Sequence, residues 1–134
     1  MAHVLDAHAL TAYFEKEPGY QKVQELLTHA AVSDRTLLLS TVNWGEVYYV
    51  TQRAYGPDKA QQIADVIKSF PIEVVDVDLE IAKQAALFKV AHKMSYADCF
   101  AAALAKTRKA ILITGDKEFK GLEHEIKLLW LNTE

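Results

Sequence analysis

Five short, mostly apolar runs constrain this chain more than anything else in it: His3–Leu5, Leu37–Leu39, Ile72–Val77, Ala110–Thr114 and Leu128–Leu131. None is long enough for a buried helix, which takes about ten residues or more, and the β-branched residues of Ile72–Val77 favour a strand. Between the runs the apolar residues recur with the period of a helix. Val23, Leu26, Leu27 and Ala30 make one stripe, Ala60, Ile63, Ala64 and Ile67 a second, and Ile81, Ala82, Ala85 and Phe88 a third. Punctuation fits the same division. A helix around His8–Lys16 stops at Pro18 and Gly19, another over Val42–Tyr55 closes at Gly56 and Pro57, Asp78 suits the start of the helix through Phe88, and Ser95 suits one that continues to about Lys109. Short strands alternating with helices predict an α/β fold around a mostly parallel sheet.

The 134 residues are enough for one domain with a real core, and a single domain over residues 1–134 is expected. With 51% hydrophobic and 25% charged residues, 5 Gly and 3 Pro, the chain is neither disordered nor of low complexity. Asp6 interrupts the start too early for a secretory signal, and no window approaches a membrane span. Cys99 stands alone, so neither an intrachain disulfide nor a paired-cysteine zinc site is available, and the cytoplasm is the expected compartment. A formal charge of −3 argues against a protein that coats nucleic acid through basic patches. It does not argue against an enzyme that grips phosphate through a bound cation, because the ion is then the largest local charge.

Acids end two of the strands. Asp6 follows Val4 and Leu5 directly, and Asp116 comes two residues after Thr114 in ILITGDKEF. In open parallel sheets ligands bind at the carboxyl ends of the strands. Two further acids lie on helices: Glu46 in STVNWGEVYYV, just after the second strand, and Asp98 at the entrance of the run CFAAALA. That run is apolar nearly all round, which predicts a central, buried helix with Asp98 facing the same end of the sheet.

These four acids, in this order, resemble those of PIN-domain ribonucleases, and especially the short VapC-like toxins of toxin–antitoxin systems. The likeness rests on Asp6 after the first strand, on Ser40 to Glu46 as a Ser-x-x-x-x-x-Glu segment, on Asp98 opening a small-residue helix, and on Thr114 to Phe119 as Thr-x-Asp-x-x-Phe. It spans almost the whole chain. Two positions depart from the pattern: Ala7 stands where the family has Ser or Thr, and Asn43 where it often has Thr. The resemblance implies a three-layer α/β/α sandwich, Mg²⁺ or Mn²⁺ bound by the acids, endonucleolytic cleavage of RNA, a homodimer, and inhibition by a cognate antitoxin protein. Asp6, Asp98 and Asp116 are then assigned to the metal. Glu46 is assigned to orienting a metal-bound water or to acting as general base, and Thr114 to holding a metal-bound water or the scissile phosphate.

Chemistry gives an independent reason for a cation. Two carboxylates about 5 Å apart repel by roughly 3 kcal/mol at an effective dielectric of 20, so converging acids either take up protons or recruit an ion. A hard divalent metal with oxygen ligands meets that need, and when bound it acidifies a water and stabilises charge on a phosphoryl group. Each acid also has a plainer reading. Asp6 is a good N-cap for the following helix, Ser95 and Asp98 fit a capping box, Asp116 suits a turn after Gly115, and Glu46 suits a solvated helix face. Capping and ligation are compatible. A phosphatase of the haloacid-dehalogenase type would want a second Asp two residues after the first, where His8 stands. A non-catalytic PIN scaffold for RNA or protein binding is the other alternative. No two histidines are spaced as a metal pair, and only His8 lies near the acids. Trp44 and Tyr48 share a helix face from which Tyr49 is rotated away, so this helix suits both core packing and a partner surface.

Overall fold

The computed structural model describes residues 1–132; residues 133 and 134 of the expected domain lie outside the described residues. Five strands, β1 (His3–Leu5), β2 (Leu37–Ser40), β3 (Ile72–Val75), β4 (Ile111–Thr114) and β5 (Lys127–Trp130), form one sheet in the order β3-β2-β1-β4-β5. Every pairing among the described residues is parallel. The helices α1 (Ala7–Glu15) and α2 (Tyr20–Ser33) connect β1 to β2, and α3 (Thr41–Tyr55) and α4 (Pro57–Ser69) connect β2 to β3. Helices α5 (Leu79–Ala91) and α6 (Tyr96–Thr107) lead from β3 back to β4, and a 3-10 helix (Lys117–Leu122) leads to β5.

This order explains the layers. The chain steps outward from β1 to β3 and then returns to the far side of β1, so right-handed crossovers require the first four helices on one face and the next two on the other. The core divides accordingly. Leu5, Leu37, Leu39 and Ile113 pack with residues of α1 to α4, whereas Val4, Leu38 and Leu112 pack with α5, α6, Phe119 and Leu122. Alternate residues of each strand thus serve opposite layers, the period of two expected of a strand buried on both faces. The three-layer α/β/α sandwich is what the structure contains, with a sheet that is wholly rather than mostly parallel.

Several boundaries move by a residue or more, for local reasons. Strand β3 ends at Val75, and Asp78 accepts from the Ile81 N–H at 2.9 Å as the cap of α5. Ser40 is both the last residue of β2 and the cap of α3, so that helix begins at Thr41 rather than Val42. Helix α6 stops at Thr107, ahead of Lys109, whose φ is 51°. The 3-10 helix is not foreseen from periodicity, because six residues are too few to show any.

Gly19 caps α2 with φ 95°, and a Cβ there would stand 2.5 Å from the Leu131 carbonyl oxygen. Neither the dihedral nor the backbone contact tolerates a side chain. Gly19→Ala is expected to lower stability by about 2 kcal/mol or more, measured by denaturant unfolding. A loss under about 0.5 kcal/mol would contradict this packing of α2 against the end of β5.

Candidate metal centre

Because the strand order reverses between β1 and β4, the carboxyl ends of those two strands open the crevice of the sheet. Asp6 leaves β1 there and Thr114 ends β4. The two are fully buried and joined by a hydrogen bond of 2.5 Å from the Thr114 hydroxyl to Asp6 Oδ2. Asp6 Oδ1 accepts from the Ala9 N–H at 2.7 Å, so this acid caps α1 while facing the crevice. Thr114 Oγ1 in turn accepts from the Asp116 N–H at 2.9 Å. One hydroxyl therefore fixes both strand-end acids relative to each other.

Asp116 caps the 3-10 helix, its Oδ1 accepting from the Glu118 N–H at 2.9 Å. Asp98 lies in the first turn of α6, where its N–H donates to the Ser95 hydroxyl at 3.1 Å. Only the Ser95 half of a capping box is present: among the described residues no backbone N–H bonds to the Asp98 carboxylate. One carboxylate oxygen from each of Asp98, Asp116 and Glu118 falls within 4.8 Å of the other two. Glu118 escapes sequence reasoning because an exposed acid in the first turn of a helix is ordinary there. Its spacing of two from Asp116 was the available signal.

Electrostatics ties the remaining acids to this group. Burial pushes the Asp6 carboxyl up to about 7, against the lowering effect of its bonds from Thr114 and Ala9, and the charges of Asp98 and Asp116 add to the rise. Asp98 is also pushed up to about 7, first by burial and then by the Asp116 charge. The Ser95 hydrogen bond opposes this, and Glu46 and Glu118 add to it. Glu46 on α3 is raised by burial, with the Asn43 amide working the other way and the Asp116 charge reinforcing the rise. No cation of the protein balances these groups: the one ion pair among the described residues is His92–Glu125, at 2.8 Å.

Two polar atoms beside the acids also lack donors. Asn43 is fully buried and its Nδ2 donates to the Ala97 carbonyl, adjacent to Asp98, at 3.1 Å, but its Oδ1 has no partner among the described residues. Glu46 Oε1 is buried without a partner as well. An oxygen-only set of carboxylates and unfilled acceptors fits a hard divalent ion that keeps part of its water shell. His8, set apart in the sequence, packs its imidazole against Gly115, where a Cβ would stand 2.6 Å from His8 Cε1.

The sequence profile of the PIN domain matches residues 3–125. This chain belongs to the PIN-domain family. Solved PIN-like structures share its fold over nearly its full length. A chain of VapBC2 from Rickettsia felis, solved with a DNA fragment from the promoter, superposes with a TM-score of 0.76 at 19% identity, covering 96% of this chain and 98% of that one. A toxin–antitoxin complex from Klebsiella pneumoniae gives 0.74 at 16%, covering 97% and 98%. VapC20 from Mycobacterium tuberculosis, a sarcin-ricin loop cleaving toxin, gives 0.71 at 17%, covering 90% and 94%. No curated protein matches in sequence.

Proposed function

We propose that this PIN domain is a divalent-metal-dependent endoribonuclease, the toxin of a toxin–antitoxin pair. The observation that carries the reading is the gathering of Asp98, Asp116 and Glu118 oxygens within 4.8 Å at the crevice where Asp6 and Thr114 are bonded together. Asp6, Asp98 and Asp116 hold Mg²⁺ or Mn²⁺, which when bound supplies positive charge at the phosphoryl oxygens and acidifies a coordinated water. Asp6 does so from behind, each of its oxygens already accepting one hydrogen bond. Thr114 spends its proton on Asp6 and accepts from Asp116, so its part is to aim those carboxylates rather than to grip phosphate. Glu46 Oε1, with no donor of its own, takes the proton of the attacking water, and its raised proton affinity suits that task near neutral pH. Attack by water in line with the leaving oxygen leaves linear phosphate ends. Likeness in fold to a toxin that cleaves the sarcin-ricin loop supports RNA as the substrate. Mapping cleaved RNA should therefore reveal linear monophosphate and hydroxyl ends, whereas 2′,3′-cyclic phosphates would point to attack by the ribose hydroxyl and overturn this mechanism.

Inhibition by an antitoxin has a surface to use. Between α1, α3 and α4 runs a groove of about 520 Å³ lined by Phe14, Val47, Val50, Tyr55 and Ile63. Tyr49, Val50 and Tyr55 beside it are exposed, while Trp44 and Tyr48 stack with ring centroids 5.3 Å apart. An antitoxin segment along this groove, with an arginine reaching the carboxylates, would satisfy them much as an ion does. The protein is read as a homodimer acting in the cytoplasm; among the described residues no helix is long and apolar enough to cross a membrane. Co-purification with the neighbouring small gene product, followed by sedimentation, tests this assembly. A strict monomer that captures no such partner and leaves growth unaffected would remove the toxin assignment but not the nuclease.

A further inference from the structure

The family pattern brings four acids to the site, yet the crevice holds a fifth. We propose that Glu118 is a further ligand of the divalent ion, completing with Asp98 and Asp116 a set of carboxylates on the solvent side of the centre, while Asn43 Oδ1 and Glu46 Oε1 accept from the ion's water shell on the buried side. The inference rests on the metal-centre reading above and adds to it residues that the ordered motif does not contain.

Geometry supports Glu118 first. Across a small octahedral ion with bonds of about 2.1 Å, opposite ligand oxygens lie roughly 4.2 Å apart, so three oxygens mutually within 4.8 Å stand close to a binding arrangement. The Glu118 N–H bonded to Asp116 Oδ1 at 2.9 Å fixes the turn that brings both carboxylates to one side. A favourable place near a helix start would account for a single acid there. It does not account for a third carboxylate facing two others with no protein cation paired to any of them among the described residues.

The buried side gives a second, independent indication. Asn43 is wholly enclosed, and its amide nitrogen is tied to Ala97 beside Asp98. Its carbonyl oxygen nevertheless has no donor, and neither does Glu46 Oε1, one helical turn further along α3. Buried acceptors are rarely left so. Mg²⁺ and Mn²⁺ keep several waters whose protons are strong donors, and two unfilled acceptors beside the carboxylates match such a shell.

Mn²⁺ titrated into the metal-free protein by calorimetry tests this without using catalysis. Glu118→Gln is expected to weaken Mn²⁺ binding by at least about 10-fold. Glu123→Gln, which changes the charge equally at an exposed residue capping the other end of the same 3-10 helix, should change it by less than about two-fold. Melting of Glu118→Gln in EDTA should equal or exceed that of the parent, confirming that the fold is intact. Equal Mn²⁺ affinity in Glu118→Gln and parent would overturn the proposal while leaving the nuclease reading in place if the parent cleaves RNA. Glu118-dependent binding without RNA cleavage would do the reverse. A parent that binds no Mn²⁺ would end both.

Discussion

Asp98→Asn is expected to make the metal-free protein more stable at neutral pH and to abolish cleavage. Asp98 is only 8% exposed, and its carboxyl is pushed up to about 7 by burial, with the Asp116 charge next in weight. Above that pH it carries a charge that its surroundings oppose. Asn keeps the shape and removes the charge. The helix cap resides in Ser95, whose hydroxyl accepts from the Asp98 N–H, and that bond survives the substitution. A rise of about three pH units corresponds to roughly 4 kcal/mol, and the newly buried amide gives part of this back, so a net gain of about 1 to 3 kcal/mol is expected. For a chain of this size that is a melting shift of several degrees. Cleavage should fall by at least about 100-fold, because the carboxylate that holds the ion is gone. Added Mg²⁺ should raise the melting temperature of the parent far more than that of Asp98→Asn, since binding to the folded state shifts unfolding by mass action. A lower melting temperature with intact cleavage would remove Asp98 from the site.

The same charges set an unusual pH profile. In EDTA the parent is expected to lose stability as pH rises from 4 to 8. Asp6 and Asp98 titrate near 7 in the folded protein, against an ordinary value of 3.8. Between those values the folded protein holds protons that the unfolded chain has released. Its stability therefore falls through that window and levels off above the folded value. One such group is worth roughly 4 kcal/mol; the two interact within a single cluster, so their contributions do not simply add. His3, whose proton affinity is lowered by burial, works in the opposite sense as pH falls through its ordinary range near 6.5. Saturating Mg²⁺ should flatten or reverse the slope by favouring ionised carboxylates. Denaturant unfolding across this range checks it, and a metal-free stability that climbs steadily toward pH 8 would contradict the electrostatics of the crevice.

Much of this architecture is legible in the residues. The strands declare themselves by short β-branched or leucine-rich runs, and the caps at Ser40, Asp78 and Ser95 by residue type. The position of the crevice follows from Asp6 and Asp116 lying at strand ends, although the strand order that pairs β1 with β4 is a tertiary fact. Thr114 and Asp6 are 108 residues apart, and no local pattern dictates their bond. Capping and site readings could not be separated in the sequence because Asp6 and Asp116 do cap the elements that follow them. Asn43 and Glu118 were missed for opposite reasons. Asn43 is a polar residue enclosed within a helix whose aromatics draw the eye, and Glu118 is an exposed acid of a common kind. Only the folded positions of α3, α6 and the 3-10 helix give either of them meaning.

The central claim is that these acids make a metal-dependent ribonuclease, and cleavage of a structured RNA tests it most directly. The purified parent should cut at defined positions with Mg²⁺ or Mn²⁺, lose that activity in EDTA, and regain it when the ion is restored; Asp116→Asn should stay inactive throughout. Cleavage equally fast in EDTA, or by Asp116→Asn, would contradict the account.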